Sequence, residues 1–221
     1  MKDNRGWHND PYRHALASRG IRTRGIVKDL THREIDSSTI YFSAESGNDA
    51  LIIQYDIDPE SPRDWDNLGT MVCWHSRHNI GDDHHFDTPD DFHEEIDKDD
   101  AIIIPLYLYD HSGLAMKTDP FNDPWDSGQV GYIYVTDEKI RKEYGVKKIT
   151  KEIREKARNV LKSEVNTYDQ YISGNVYGFQ LYEDGEFTDS CYGFYGDDWE
   201  KNGMKEHIPE IHHHLFDKLR G

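Results

Sequence analysis

The sequence predicts an α+β fold: a largely antiparallel mixed sheet with one long amphipathic helix and shorter helices packed on it. Three observations carry that expectation. Short apolar runs bounded by turn residues recur through the chain and read as strands. One stripe of apolar residues spaced three or four apart runs from Ile153 to Ile172 and reads as a helix. Strand-like and helix-like stretches do not alternate regularly, which argues against a parallel α/β sheet.

The elements follow in order. Residues 1–34 read as a basic arm, in which Asp10-Pro11 opens a short helix that Gly20 stops. Residues 35–221 read as a single acidic α+β domain. Its first strands are Ile40-Tyr41-Phe42 and the run from Ala50 to Ile57, closed by the turn Asp58-Pro59-Glu60-Ser61-Pro62. Thr70 to His75 is the next strand, and the polar stretch Ser76 to Asp91 is a loop. Within it Thr88-Pro89 caps a short helix to Ile96.

Ala101 to Tyr109 is strongly apolar, and Pro105 removes a ladder donor. This predicts an edge strand, a bulged strand or two short pieces. Residues 110–128 are expected to form a long loop, and Gln129 to Val135 a strand. Thr136 opens a helix that Gly145 ends. Thr150 then caps the long helix, whose stripe is Ile153, Ala157, Val160, Leu161, Val165, Tyr168 and Ile172, and Gly174 stops it. Glu183-Asp184-Gly185 between two apolar runs is a hairpin signal. A last helix over 206–219 would turn Ile208, Ile211, Leu215 and Leu219 inward.

The 221 residues carry a formal net charge of -17, unevenly spread. Residues 1–34 hold 8 Lys/Arg against 4 Asp/Glu, whereas residues 44–137 hold 22 acids against Arg63, Arg77, Lys98 and Lys117. Such a middle repels nucleic acid and anionic lipid and attracts basic proteins or cations. Aromatic residues at 12% argue against disorder, and no apolar run approaches the roughly 20 residues needed to span a bilayer. The two cysteines, Cys73 and Cys191, lie far apart in apolar contexts and read as free thiols of a reducing, cytoplasmic compartment.

Four stretches are distinctive: DIDPESPRDWDNLGTMVCWHSRHNIGD (Asp56 to Asp82), PLYLYDHSG (Pro105 to Gly113), DPWDSGQVGYIYVT (Asp123 to Thr136) and VNTYDQYISGNVYGF (Val165 to Phe179). Together they resemble a family of uncharacterised phage and prokaryotic proteins, over roughly residues 50 to 197. The resemblance implies an accessory gene product that meets host machinery, and it brings no catalytic assignment.

Three constellations are candidates for chemistry. His75, Asp110, His111 and Asp126 fall at strand ends or in adjoining loops, and imidazole beside carboxylate suits general acid–base work. His75, Asp82, His111 and Asp126 offer the nitrogen and oxygen donors that a divalent metal takes. His75 and His78 are expected on opposite faces of a strand, which weakens a shared site. Arg13, Arg19, Arg22 and Arg24 would contact phosphates if the arm binds nucleic acid. No Walker A, G-x-S-x-G or H-E-x-x-H motif occurs. Two functions therefore stand at this point. One is an interaction protein whose acidic surface engages a basic host or viral protein, including mimicry of nucleic acid. The other is a metal-dependent hydrolase or nuclease built on the His and Asp residues.

Overall fold

The computed structural model describes residues 40–219. The basic arm, with Arg13, Arg19, Arg22 and Arg24, lies outside the described residues. The α+β class holds: among the described residues all strand pairings are antiparallel, and they form two four-stranded sheets. Where one domain is expected over 35–221, the described residues divide into two compact units, one of residues 61–173 and one of residues 40–60 with 174–219.

In the first unit the sheet order is β3-β6-β4-β5, from Thr70–Cys73 (β3), Ala101–Asp110 (β4), Leu114–Lys117 (β5) and Ser127–Thr136 (β6). The expected long loop over 110–128 is thus interrupted by β5, which pairs with the end of β4 and buries Leu114 and Met116. Pro105 sits where β4 is paired by β6 alone, since β5 begins opposite Tyr107 only further along. A register shift follows at Leu106/Tyr107, so the strand is locally an edge and also bulged. Gly131 in β6 is required by packing: a Cβ there would lie 2.0 Å from the Val72 carbonyl oxygen.

Each face of this sheet has its own helix. The long helix α3 (Lys151–Ile172), capped by Thr150, buries Ala157, Leu161, Val165, Tyr168 and Ile172. Leu161 and Ile133 both close on Gly69, where an added Cβ would lie 2.5 and 2.8 Å from their side chains and force them to shift. Val160, expected inward, is 38% exposed because it lies beside the stripe and not on it. The opposite face receives α1 (Pro89–Glu95), which contributes one fully buried side chain, Phe92, stacked on Tyr132 at 5.1 Å. Thr88 and Asp91 form a reciprocal capping box at its start. Between β6 and α3, the helix α2 (Asp137–Tyr144) is capped by Thr136 and closed by Gly145 in a left-handed conformation.

The second unit has the order β1-β2-β7-β8, from Ile40–Ser46 (β1), Asp49–Tyr55 (β2), Val176–Glu183 (β7) and Glu186–Tyr195 (β8). The hairpin turn places Asp184 and Gly185 at φ of 49° and 80°, the positive values that such turns demand. Leu51, Ile53, Tyr177, Phe179 and Phe194 form a core with Met204, Ile208 and Leu215 from the C-terminal segment. That segment is not the helix expected over 206–219. A single turn, α4 (Met204–His207), is followed at Pro209 by a 3-10 stretch, Glu210–Lys218. Pro209 lacks an N–H and turns Ile208 away from helical geometry. The tighter turn leaves Ile211 76% exposed and buries His212 instead.

Candidate functional site: the end of the first sheet

In the first unit β3 and β4 each run antiparallel to β6, so the ends of β3 and β4 meet the start of β6 at one edge. Three of the sequence-predicted positions follow directly from this. Asp110 is the last residue of β4, Asp126 immediately precedes β6, and His75 lies two residues beyond β3. The Asp110 amide donates to the Asp126 carbonyl at 2.9 Å, which sets the two loops side by side.

Asp110 is the hub. Its side chain is 11% exposed and its Oδ2 accepts from the Arg77 guanidinium. The same oxygen lies 3.3 Å from His75 Nε2 and 4.0 Å from His78 Nε2. The two imidazoles stack at 5.4 Å with an interplanar angle of 11°. The expectation that they diverge is therefore corrected. The strand ends at Cys73, so its two-residue alternation no longer governs positions 75 and 78.

His75 Nδ1 accepts the backbone N–H groups of Arg77 at 3.4 Å and His78 at 3.1 Å. An acceptor nitrogen carries no proton, so the neutral ring bears its hydrogen on Nε2, pointed at Asp110. Burial, aided by Arg77, pushes this imidazole below its ordinary pKa against the opposing pull of Asp110. Both nitrogens of His75 are thus committed within the protein. His111 is different: 64% exposed, with Nδ1 3.5 Å from Asp126 Oδ2. The four acid–base candidates gather at one sheet end, as two His–Asp pairs of unlike exposure.

The expected metal set does not assemble. Asp82 is held elsewhere, as one arm of a buried ionic knot that the sequence reading missed. Arg63, its side chain 5% exposed, donates from Nε and NH2 to the two Asp82 oxygens at 2.8 and 2.7 Å. Asp82 Oδ2 also takes the Met71 N–H at 2.7 Å. Arg63 reaches Glu164 of α3 at 3.4 Å, and Glu164 in turn accepts the N–H groups of Leu68 and Gly69. Burial raises the Glu164 carboxyl above its ordinary pKa, opposed by Arg63 and those amides. Among the described residues no group of three or more His, Cys, Asp or Glu side chains is arranged to hold a metal ion. Burial pushes the Cys73 thiol up to about 12, which leaves it no nucleophilic thiolate near neutrality.

Two sets of carboxylates stand apart in the central stretch. Asp82, Asp110 and Asp137 are tied to Arg63, Arg77 and Arg154. By contrast Asp83, Asp87, Asp90, Asp91, Glu94, Glu95, Asp97, Asp99 and Asp100 are all exposed, with Lys98 the one Lys or Arg among them. Among the described residues their segment makes a single ion pair, His85 to Glu95 at 2.9 Å. The cause is packing: α1 buries only Phe92 against the sheet, with the His93 ring edge-on to Tyr132 at 4.9 Å, and leaves its acidic positions outside. Trp65 and Val160, at 42% and 38% exposure, line a separate cavity of about 320 Å3 beside Glu164 that holds none of the sequence-predicted residues. Among the described residues no helix is long and apolar enough to cross a membrane. No family model, no curated protein and no solved structure matches this chain.

Proposed function

We propose that this chain is an accessory protein of phage or mobile-element type that works by binding a basic host or viral protein through the acidic segment 83–100. In the finer form of the reading the carboxylates stand in for a phosphate backbone, against a host defence protein or another that handles nucleic acid. One observation carries it: nine exposed carboxylates with a single ion pair, on a segment anchored by Phe92. Attraction to phosphates is largely non-specific electrostatics, so carboxylates spaced on a fixed scaffold compete for the same basic groove. This segment is the densest run of exposed carboxylates in residues 44–137, whereas Asp82, Asp110 and Asp137 of the same stretch are held in arginine ion pairs.

The metal-dependent hydrolase or nuclease reading is weaker, because His75 offers no open nitrogen lone pair and Asp82 belongs to the Arg63 knot. Affinity capture from the native host, followed by binding of the purified partner, separates the two. Electrostatic mimicry requires affinity that falls steeply with salt and is competed by duplex DNA. Affinity indifferent to salt removes it, and stoichiometric zinc or manganese in tag-free protein would transfer the function to the sheet end.

A further inference from the structure

We propose that the turn 75–78 is an acid-operated latch: a proton added to the His75 Nδ1 lone pair releases the turn and, with it, the Arg77 clamp on Asp110. The inference goes beyond the binding function and stands on geometry. In the closed turn the imidazole plays the part that Asn or Asp usually takes, a side-chain acceptor for the N–H groups two and three residues on. Unlike a carboxamide, that acceptor titrates near neutrality. Nε2 already carries a hydrogen and faces Asp110, so the incoming proton has one place to go. Once Nδ1 is protonated, an N–H confronts the N–H groups of Arg77 and His78, and both hydrogen bonds are lost.

The groups that face His75 set the balance. Asp110 from β4 favours the imidazolium, whereas Arg77, in the turn itself, opposes it. His78 stacks on the ring from the same turn, and the exposed His111–Asp126 pair lies beyond Asp110. Burial is the largest influence and keeps the closed turn neutral at physiological pH, so the latch opens on the acid side of the ordinary imidazole range. The sign follows: the unfolded chain takes up this proton more readily than the folded one. The stability held by the neutral ring is complete above about pH 6.5 and declines as pH falls through the lowered folded value.

Amide hydrogen exchange of the full chain, divided by intrinsic rates, tests this between about pH 5 and 8. Protection of the Arg77 and His78 amides should fall at least tenfold on acidification. In His75→Asn the side-chain oxygen accepts the same N–H groups without titrating, so protection there should stay level. His78→Gln should keep the wild-type fall. Ring nitrogen shifts of the unmodified protein give an independent reading. They should show Nδ1 unprotonated at neutral pH and titrating with the same midpoint as the two amides. Level protection in the wild type, a parallel fall in His75→Asn, or a ring midpoint that differs from that of the amides would overturn the latch.

Discussion

Two groups of carboxylates share the first unit and do opposite work. Those of the Arg63 knot and of Asp110 face inward, and each meets a guanidinium and backbone or imidazole N–H groups. Those of residues 83–100 face outward with one ion pair among them. The residue types are the same and some are neighbours, Asp82 and Asp83 being adjacent. The difference is where the backbone places them: Asp82 folds back onto β3 through its bond to Met71, whereas Asp83 points to water. Charge counted along the sequence therefore overstates the field, and the patch on and around α1 is its densest exposed part.

The sharpest way to break this contrast is Arg63→Met. The substitution keeps much of the stem volume but removes the cation from two largely buried carboxylates. Stranding buried charges typically costs about 3–5 kcal/mol, so urea unfolding should show a large drop in midpoint. The loss should shrink in acid, where the Glu164 carboxyl, already raised by burial, protonates and needs no partner. A cost below about 1 kcal/mol, as for an exposed pair, would mean that water already reaches the knot.

A smaller effect tests the border between the two groups. Asp91 is exposed yet structural, because its carboxylate closes the capping box with Thr88. Thr88→Ala should lower stability by about 1 kcal/mol, the usual worth of an N-cap, and loosen the seat of Phe92. Thermal melting and the near-ultraviolet signal of the Phe92–Tyr132 stack report on both. An unchanged melt would show that Phe92 alone fixes α1.

Local signals made much of this legible. Thr88, Thr136 and Thr150 cap the helices expected of them, and Gly145 and Asp184-Gly185 end or turn the chain where they should. What escaped depended on tertiary context or on a signal passed over. The strand β5 is four residues long, too short for its alternation of Leu114 and Met116 to stand out in a polar stretch. Pro209 was a readable stop, and the stripe through Ile208 and Leu215 hid it. At the sheet end, the four acid–base candidates converge as their places beside strands suggested, but the role of His75 as a turn acceptor depends on the direction of two backbone N–H groups. The pairing of Arg63 with residues 19 and 101 positions away is equally invisible in sequence. A hint lay in scarcity: among 22 acids in residues 44–137 there are only four bases, and two of them, Arg63 and Arg77, sit against carboxylates.

The smallest expected effect on stability carries the most about function. Changing Asp87, Glu94 and Asp99 together to Lys moves the segment 83–100 from a net charge of -8 to -2. None of the three is in an ion pair among the described residues, so each substitution should shift stability by about 0.5 kcal/mol or less. The sum is expected near zero or slightly favourable, because self-repulsion along α1 and its flanks declines. Binding to a basic partner should respond far more, with a weaker affinity and a shallower dependence of log K on log salt. The two readouts have to diverge for the contrast to hold. If the triple variant melted as early as Arg63→Met, the outward carboxylates would be supporting the fold. If it bound as tightly as the parent at every salt concentration, they would be serving solubility alone.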